Sequence, residues 1–137
     1  VADEAALHSP DLTFDVLVDP DDLEVVGDPE RLHQVVANLV ENAARFTPDD
    51  ASVSLLASRS DGWVVFEVRD QGPGIPAESL SRVFERFYRT DEARSTDEGG
   101  SGLGLAIARW IVELHGGRIH AERLEPHGCR MVVELPA

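Results

Sequence analysis

The segment from Gly27 to Pro48 constrains the fold more than any other stretch of this chain. Asp28 followed by Pro29 reads as an N-cap with a proline at the first helical position, where the missing N–H is no loss. Leu32, Val35, Val36, Leu39, Val40 and Ala43 then step by three and one, so they line one stripe of a long helix. The helix stops near Phe46-Thr47-Pro48, because a residue before proline is driven out of the helical region. A helix that is apolar along one stripe needs a second layer to cover it.

The flanking segments supply that layer. Leu12, Phe14, Val16 and Val18 alternate with Thr13, Asp15 and Leu17, which predicts a half-buried first strand, with a turn at 19–22 and a second short strand over Leu23 to Val26. Ser52 to Ser58 and Trp63 to Asp70, linked by Arg59-Ser60-Asp61-Gly62, read as a hairpin with Val64, Phe66 and Val68 on one face. After Asp70-Gln71-Gly72-Pro73-Gly74-Ile75-Pro76, the spacing of Leu80, Val83, Phe84 and Phe87 predicts a second helix. Residues 90–101 hold no large apolar side chain, which predicts a mobile lid with nothing to anchor it in a core. Gly102 opens a third helix with Leu103, Ile107, Trp110, Ile111 and Leu114 inward, ended by Gly116-Gly117. Strands over Arg118 to Leu124 and Cys129 to Leu135, around Glu125-Pro126-His127-Gly128, close the chain. Strands joined by hairpins and flanked by three helices make an α+β two-layer sandwich with a mixed sheet.

At 137 residues the chain is one ordinary domain, spanning 1–137. A net charge of −14 would repel a phosphate backbone, so nucleic acid is not the expected partner, and an anionic ligand must be held by local positive groups. The lone Cys129 permits no internal disulfide and reads as a small buried apolar residue. The longest strictly apolar run, Trp63 to Phe66, is far short of the ~20 residues of a membrane span. Met131 is the only methionine, and the chain reads as a portion of a longer protein.

The residues that can carry chemistry fall into four segments. On the first helix, Asn38, Asn42 and Arg45 lie four and three residues apart, on a stripe bordering the apolar face. An Asn there can offer a carbonyl oxygen to a hard cation and Arg45 can reach a phosphate, though backbone caps and a solvated arginine would use the same residues. Asp70 ends an apolar strand beside Gly72 and Gly74, where the chain bends sharply. A carboxylate only accepts hydrogen bonds, so it suits the exocyclic amine of adenine and repels the carbonyl of guanine; an ordinary Asp turn is the alternative. Gly99-Gly100-Ser101-Gly102-Leu103-Gly104-Leu105 leads into a helix, whose unpaired amides make an anion site. It is no Walker loop, since all twelve basic residues are arginine. Arg82, Arg86 and Arg89 form a positive stripe before the lid, unless acids such as Glu85 pair with them.

In this order, Asn38…Asn42, Asp70-Gln-Gly-Pro-Gly74, Phe84-Glu-Arg-Phe87 and Gly100-Ser-Gly-Leu-Gly-Leu105 resemble the N, G1, F and G2 boxes of sensor histidine kinase catalytic domains. The match spans nearly the whole chain. It implies the Bergerat-type α/β sandwich shared with gyrase, Hsp90 and MutL, with ATP between a helical layer and the lid. By that resemblance Asn42 ligates Mg²⁺ with Asn38 assisting, Asp70 takes the adenine amine, and Gly72 and Gly74 shape the base pocket. Phe46, Ile75 and Phe87 are further nucleotide contacts, Gly100, Ser101, Gly102, Leu103, Gly104 and Leu105 form the phosphate loop, and Arg45, Arg86 and Arg89 contact phosphates. Asn38, Arg45 and Arg86 are the catalytic set.

Three departures stand out. Gln71 replaces the usual Asn, and Cys129 stands where a hydroxyl residue is common, which is expected to alter a contact on the phosphate side. The H box, His-Glu-x-x-x-Pro, is absent, since the five histidines are followed by Ser9, Gln34, Gly116, Ala121 and Gly128. The implied activity is therefore transfer of the γ-phosphoryl of Mg·ATP to a histidine on a separate dimerisation/phosphoacceptor domain of the same parent. A response regulator lies downstream, this domain is monomeric by itself, and it is a cytoplasmic part of a membrane-anchored sensor. Competing readings are an ATP-driven clamp or an anti-sigma type serine kinase, which would want a carboxylate at position 38, and a non-catalytic nucleotide-binding or docking module.

Overall fold

The computed structural model describes residues 13–19, 23, 25–47, 51–80, 82–85 and 104–136, with Thr13 and Phe46 described in backbone alone. Five strands form one sheet: β1 (Thr13–Asp19), β2 (Ser52–Ser60), β3 (Trp63–Asp70), β4 (Arg118–Arg123) and β5 (Cys129–Pro136). Their order is β1-β2-β3-β5-β4. β1 runs parallel to β2, with Phe14 opposite Val53, and the other pairings are antiparallel. Among the described residues there are two α-helices, α1 (Pro29–Phe46) and α2 (Gly104–Leu114), where three were expected. They pack on one another and cover one face of β2 to β5. The two-layer sandwich with a mixed, mostly antiparallel sheet is as the sequence predicts.

Local chemistry accounts for the ends of α1. Asp28 Oδ1 accepts from the N–H groups of Glu30 (3.0 Å) and Arg31 (3.4 Å), the first orphan donors of the helix. At the other end Thr47 is extended (φ −85°, ψ 129°), as a residue before proline must be, and its hydroxyl donates to the Ala43 carbonyl at 2.8 Å. Val35, Leu39, Val40 and Ala43 are buried against Val53, Leu55, Val68, Ile111 and Met131. Each large side chain buried in this way contributes ~1.5–3 kcal/mol.

The first hairpin turns on two residues. Asp61 (φ 48°) and Gly62 (φ 82°) both take the left-handed conformation that a tight hairpin requires, so β2 runs on to Ser60. Helix α2 ends with Gly116 at φ 75°, while the Gly117 N–H bonds the Val112 carbonyl at 2.9 Å. His115 then ties the two helices together: its Nδ1 donates to the Ile111 carbonyl (2.8 Å) and its Nε2 accepts the Asp28 N–H (3.1 Å).

Four expectations are corrected. Leu23, Val25 and Val26 belong to no strand, and Val26 is exposed. β1 is an edge strand beyond the main helical cover, so Phe14 packs on the core while Val16 and Val18, on the same face, are 58% and 36% exposed. The predicted second helix is, over the described residues, a 3₁₀ turn at Ala77–Ser79 followed by turns. There the Arg82 N–H bonds the Ser79 carbonyl and that of Glu85 bonds Arg82, three-residue closures that need no long nucleus, and they still bury Val83 and Phe84. Finally, α2 buries Ala108, Ile111 and Val112 and leaves Trp110 and Leu114 exposed. Two residues on from Ala108, Trp110 lies about 200° round the axis, away from the sheet.

The opposite face of the sheet carries ion pairs set among Trp63, Val65 and the buried Val132. Arg130 bridges Glu67 and Glu122, and the bond to Arg130 holds the Glu67 carboxyl below its ordinary range. Arg118 pairs with Glu134 at 3.0 Å and lies over the Trp63 ring.

Candidate nucleotide site

Asp70 is the last residue of β3 and is 6% exposed. It shares with Val68, and with Cys129 and Met131 of β5, the sheet face that the helices cover. Its Oδ1 accepts two backbone bonds, from Gly72 N at 2.9 Å and Cys129 N at 3.2 Å. Burial pushes its carboxyl above the ordinary range, and those two N–H bonds together with the charge of His127 oppose the rise. A carboxylate gripped through one oxygen keeps its second for an outside donor, which is what reading the amino edge of adenine requires.

The glycines beside it are explained by backbone contact. Gly74 has φ 86°, and a Cβ there would sit 3.0 Å from the Gly128 carbonyl oxygen. Gly128 has φ 114°, and its Cβ would lie 2.4 Å from the Asp70 carbonyl oxygen. The 70–74 loop and the turn between β4 and β5 are thus packed backbone against backbone. Gly72 is buried, and Ile75 packs on the core. Gln71, which stands in place of the usual Asn, accepts the Ser52 N–H on its side-chain oxygen at 2.9 Å and so ties this loop to the start of β2.

Asn38, Asn42 and Arg45 descend one stripe of α1, the two asparagines half-buried and Arg45 exposed in the last turn. Asn38 Nδ2 donates to the Gly104 carbonyl at 3.0 Å, which joins the asparagine segment to the first described residue of α2. Leu105 follows and packs on the core. Arg86, Phe87, Arg89, Gly100, Ser101, Gly102, Leu103 and the predicted lid over 90–101 lie outside the described residues, as does the side chain of Phe46.

Cys129 was expected to bear on the phosphate side. Its N–H holds the Asp70 carboxylate, and burial and the Asp70 charge push its thiol up to about 12. The sequence reading also passed over His127, whose Nδ1 is 3.2 Å from the Gly72 carbonyl oxygen. The glycine at 128, next to a strand that pairs with β3, was the available signal. A separate open groove of about 430 Å³ lies between Leu80, Phe84, Arg109, Glu113 and His120 and includes none of the predicted site residues.

Comparison with known proteins identifies the family. Residues 27–137 match the family described as histidine kinase-, DNA gyrase B-, and HSP90-like ATPase. The sensor protein VanS of Enterococcus faecium is 45% identical over 118 residues, 86% of this chain and 30% of that protein. The mycobacterial sensor histidine kinase MprB structure superposes with a TM-score of 0.89 at 35% identity, covering 98% of this chain and 89% of that one. Full-length ShkA in complex with AMPPNP aligns with a TM-score of 0.81 at 32% identity, over 98% of this chain and 29% of that one. The chain spans between 19% and 30% of the length of the first three curated relatives it matches. Among the described residues no helix is long and apolar enough to cross a membrane. The likeness over nearly the whole chain, in sequence and in fold, makes this chain a member of the histidine kinase-, DNA gyrase B- and HSP90-like ATPase family, of the sensor histidine kinase catalytic domain kind.

Proposed function

We propose that residues 1–137 form one catalytic domain that holds Mg·ATP and delivers its γ-phosphoryl group to a histidine on a dimerisation/phosphoacceptor domain of the same parent. Asp70 accepts the adenine amine through its outer oxygen, with Gly72, Gly74 and Ile75 around the base. Arg45, with Arg86 and Arg89, contacts the phosphates, and the Gly100–Leu105 loop lines them. The residues fit a magnesium ion. Asn38 has its amino group on the Gly104 carbonyl, so its oxygen is the remaining polar atom, and Asn42 follows one turn on along the same stripe. Neutral oxygens suit a hard cation and leave its charge for the phosphates, whose negative charge it neutralises when bound.

Transfer breaks the bond between the γ-phosphorus and its bridging oxygen, whose electron pair stays on ADP, while an imidazole nitrogen of the acceptor forms the new P–N bond. A neutral imidazole needs no base to attack, so positioning and charge neutralisation suffice. The observation that carries this reading is an amide at position 38, its amino group committed to Gly104, where activation of water for hydrolysis would need a carboxylate. The relatives' greater length supports an acceptor domain in the same parent. Their names, a sensor protein and a signal transduction histidine-protein kinase, support a response regulator downstream, and a cytoplasmic position in a membrane-anchored receptor belongs to the same proposal.

The test is incubation of this chain with γ-labelled ATP, alone and with a separately added helical domain from its parent. The expected result is no self-labelling and little hydrolysis, with slow labelling of the added domain that rises with its concentration. Efficient labelling of a histidine within the chain, or brisk hydrolysis abolished by Asn38→Ala, would overturn the reading. Nucleotide binding without any transfer would identify a docking module.

A further inference from the structure

Gly72 is held from both sides. Its N–H donates to Asp70 Oδ1 at 2.9 Å, and its carbonyl oxygen faces His127 Nδ1 at 3.2 Å, from a residue 55 positions away. A carbonyl only accepts, so Nδ1 carries the proton in this bond, as it can in either the neutral or the charged ring. His127 sits in the turn between β4 and β5, whose next two residues also bear on Asp70: Gly128 packs against its carbonyl and Cys129 N–H holds its carboxylate. The turn therefore grips the carboxylate directly through Cys129 and indirectly through His127 and Gly72.

We propose that His127 is a positioning residue for adenine recognition: by holding the Gly72 carbonyl it fixes the Gly72–Pro73 peptide and so restrains the glycine whose N–H, one peptide earlier, orients the Asp70 carboxylate. This rests on the reading that Asp70 accepts the adenine amine. Without the His127 bond Gly72 is held less firmly, because a residue with no Cβ turns freely about φ and ψ, and the N–H that orients Asp70 is less sharply aimed. The base, not the phosphates, should feel that loss. Adenine gains most from a correctly aimed acceptor, so discrimination against guanine falls together with affinity.

Calorimetry on this chain with the non-hydrolysable analogues AMPPNP and GMPPNP tests the proposal, alongside the melting temperature without ligand. His127→Ala and His127→Phe, the second keeping a ring without a donor, should each weaken AMPPNP binding about five- to tenfold and narrow the adenine preference by a similar factor, the loss expected of one orienting hydrogen bond. His127→Asn, whose amide nitrogen stands where Nδ1 stands, should restore most of both at an unchanged melting temperature. Wild-type affinity and preference in the Phe variant would overturn the proposal, as would failure of Asn to rescue. An Ala variant that unfolds leaves the Phe and Asn pair to decide. Asp70→Asn measured in parallel separates the two levels: if it binds AMPPNP like the wild type, the adenine reading itself is wrong. If it loses binding while His127→Phe does not, only the positioning role is wrong.

Discussion

Asn38 is bonded to Gly104 across 66 residues of sequence, its Nδ2 donating to the carbonyl at 3.0 Å. One bond thereby joins the middle of α1 to the start of α2 and settles which way the Asn38 amide points. Asn38→Ala should lower stability by roughly 1 kcal/mol, the usual net worth of one hydrogen bond, as read by chemical denaturation. Asn38→Asp should lose more, because an acceptor would then face the Gly104 carbonyl. Equal stability of Asp and wild type would mean that the bond contributes nothing.

Asp70→Asn should weaken ATP binding by ~1.5–3 kcal/mol, since a neutral amide replaces a charged acceptor. The same change should stabilise the ligand-free fold at neutral pH. Burial raises the folded-state pKa of Asp70 above 3.8, so as pH climbs the unfolded chain ionises first and wild-type stability falls until the folded carboxyl has ionised too. The advantage of the Asn variant should therefore be absent below about pH 3.8, grow as pH rises through the raised value, and then stay constant. Denaturant melts of both proteins across that range check the sign.

Asn42→Ala should weaken magnesium-dependent binding of an ATP analogue far more than binding of adenosine, because it removes an oxygen ligand and leaves Asp70 and its glycines intact. Titrations with each ligand, with and without magnesium, measure the difference. An equal loss for both would indicate damage to the fold.

Two glycines with positive φ should respond very differently to alanine. At Gly62 a Cβ meets nothing within 4 Å, so Gly62→Ala should cost about 1–2 kcal/mol of backbone strain alone. At Gly128 the added carbon would lie 2.4 Å from the Asp70 carbonyl oxygen, and no side-chain movement relieves a clash with backbone. Gly128→Ala should cost more than about 3 kcal/mol and impair nucleotide binding in whatever remains folded. Similar melting temperatures for the two variants would contradict the close packing of the two loops.

What could be read from the sequence was what neighbouring residues decide among themselves. Asp28, Pro29 and Thr47 set the bounds of α1, Asp61-Gly62 the first hairpin, and Gly116 the end of α2. Asp70 with its two glycines and the asparagine pair on α1 stood out as candidates for the same reason, since each is a short pattern with its own chemistry. The tertiary structure decided what depends on which strand lies beside which. Val16 and Val18 alternate like the buried face of a strand yet are exposed, because β1 came to the sheet edge beyond the main helical cover. Trp110 and Leu114 read as inward until the sheet selected the Ala108–Ile111–Val112 side of α2. Cys129 and His127 reach Asp70 and Gly72 because β5 lies between β3 and β4 and brings the turn before it onto the end of β3. Periodicity and capping act over a few residues, whereas strand order and helix facing are chosen by burying the whole apolar surface at once, and no short window of sequence contains that choice.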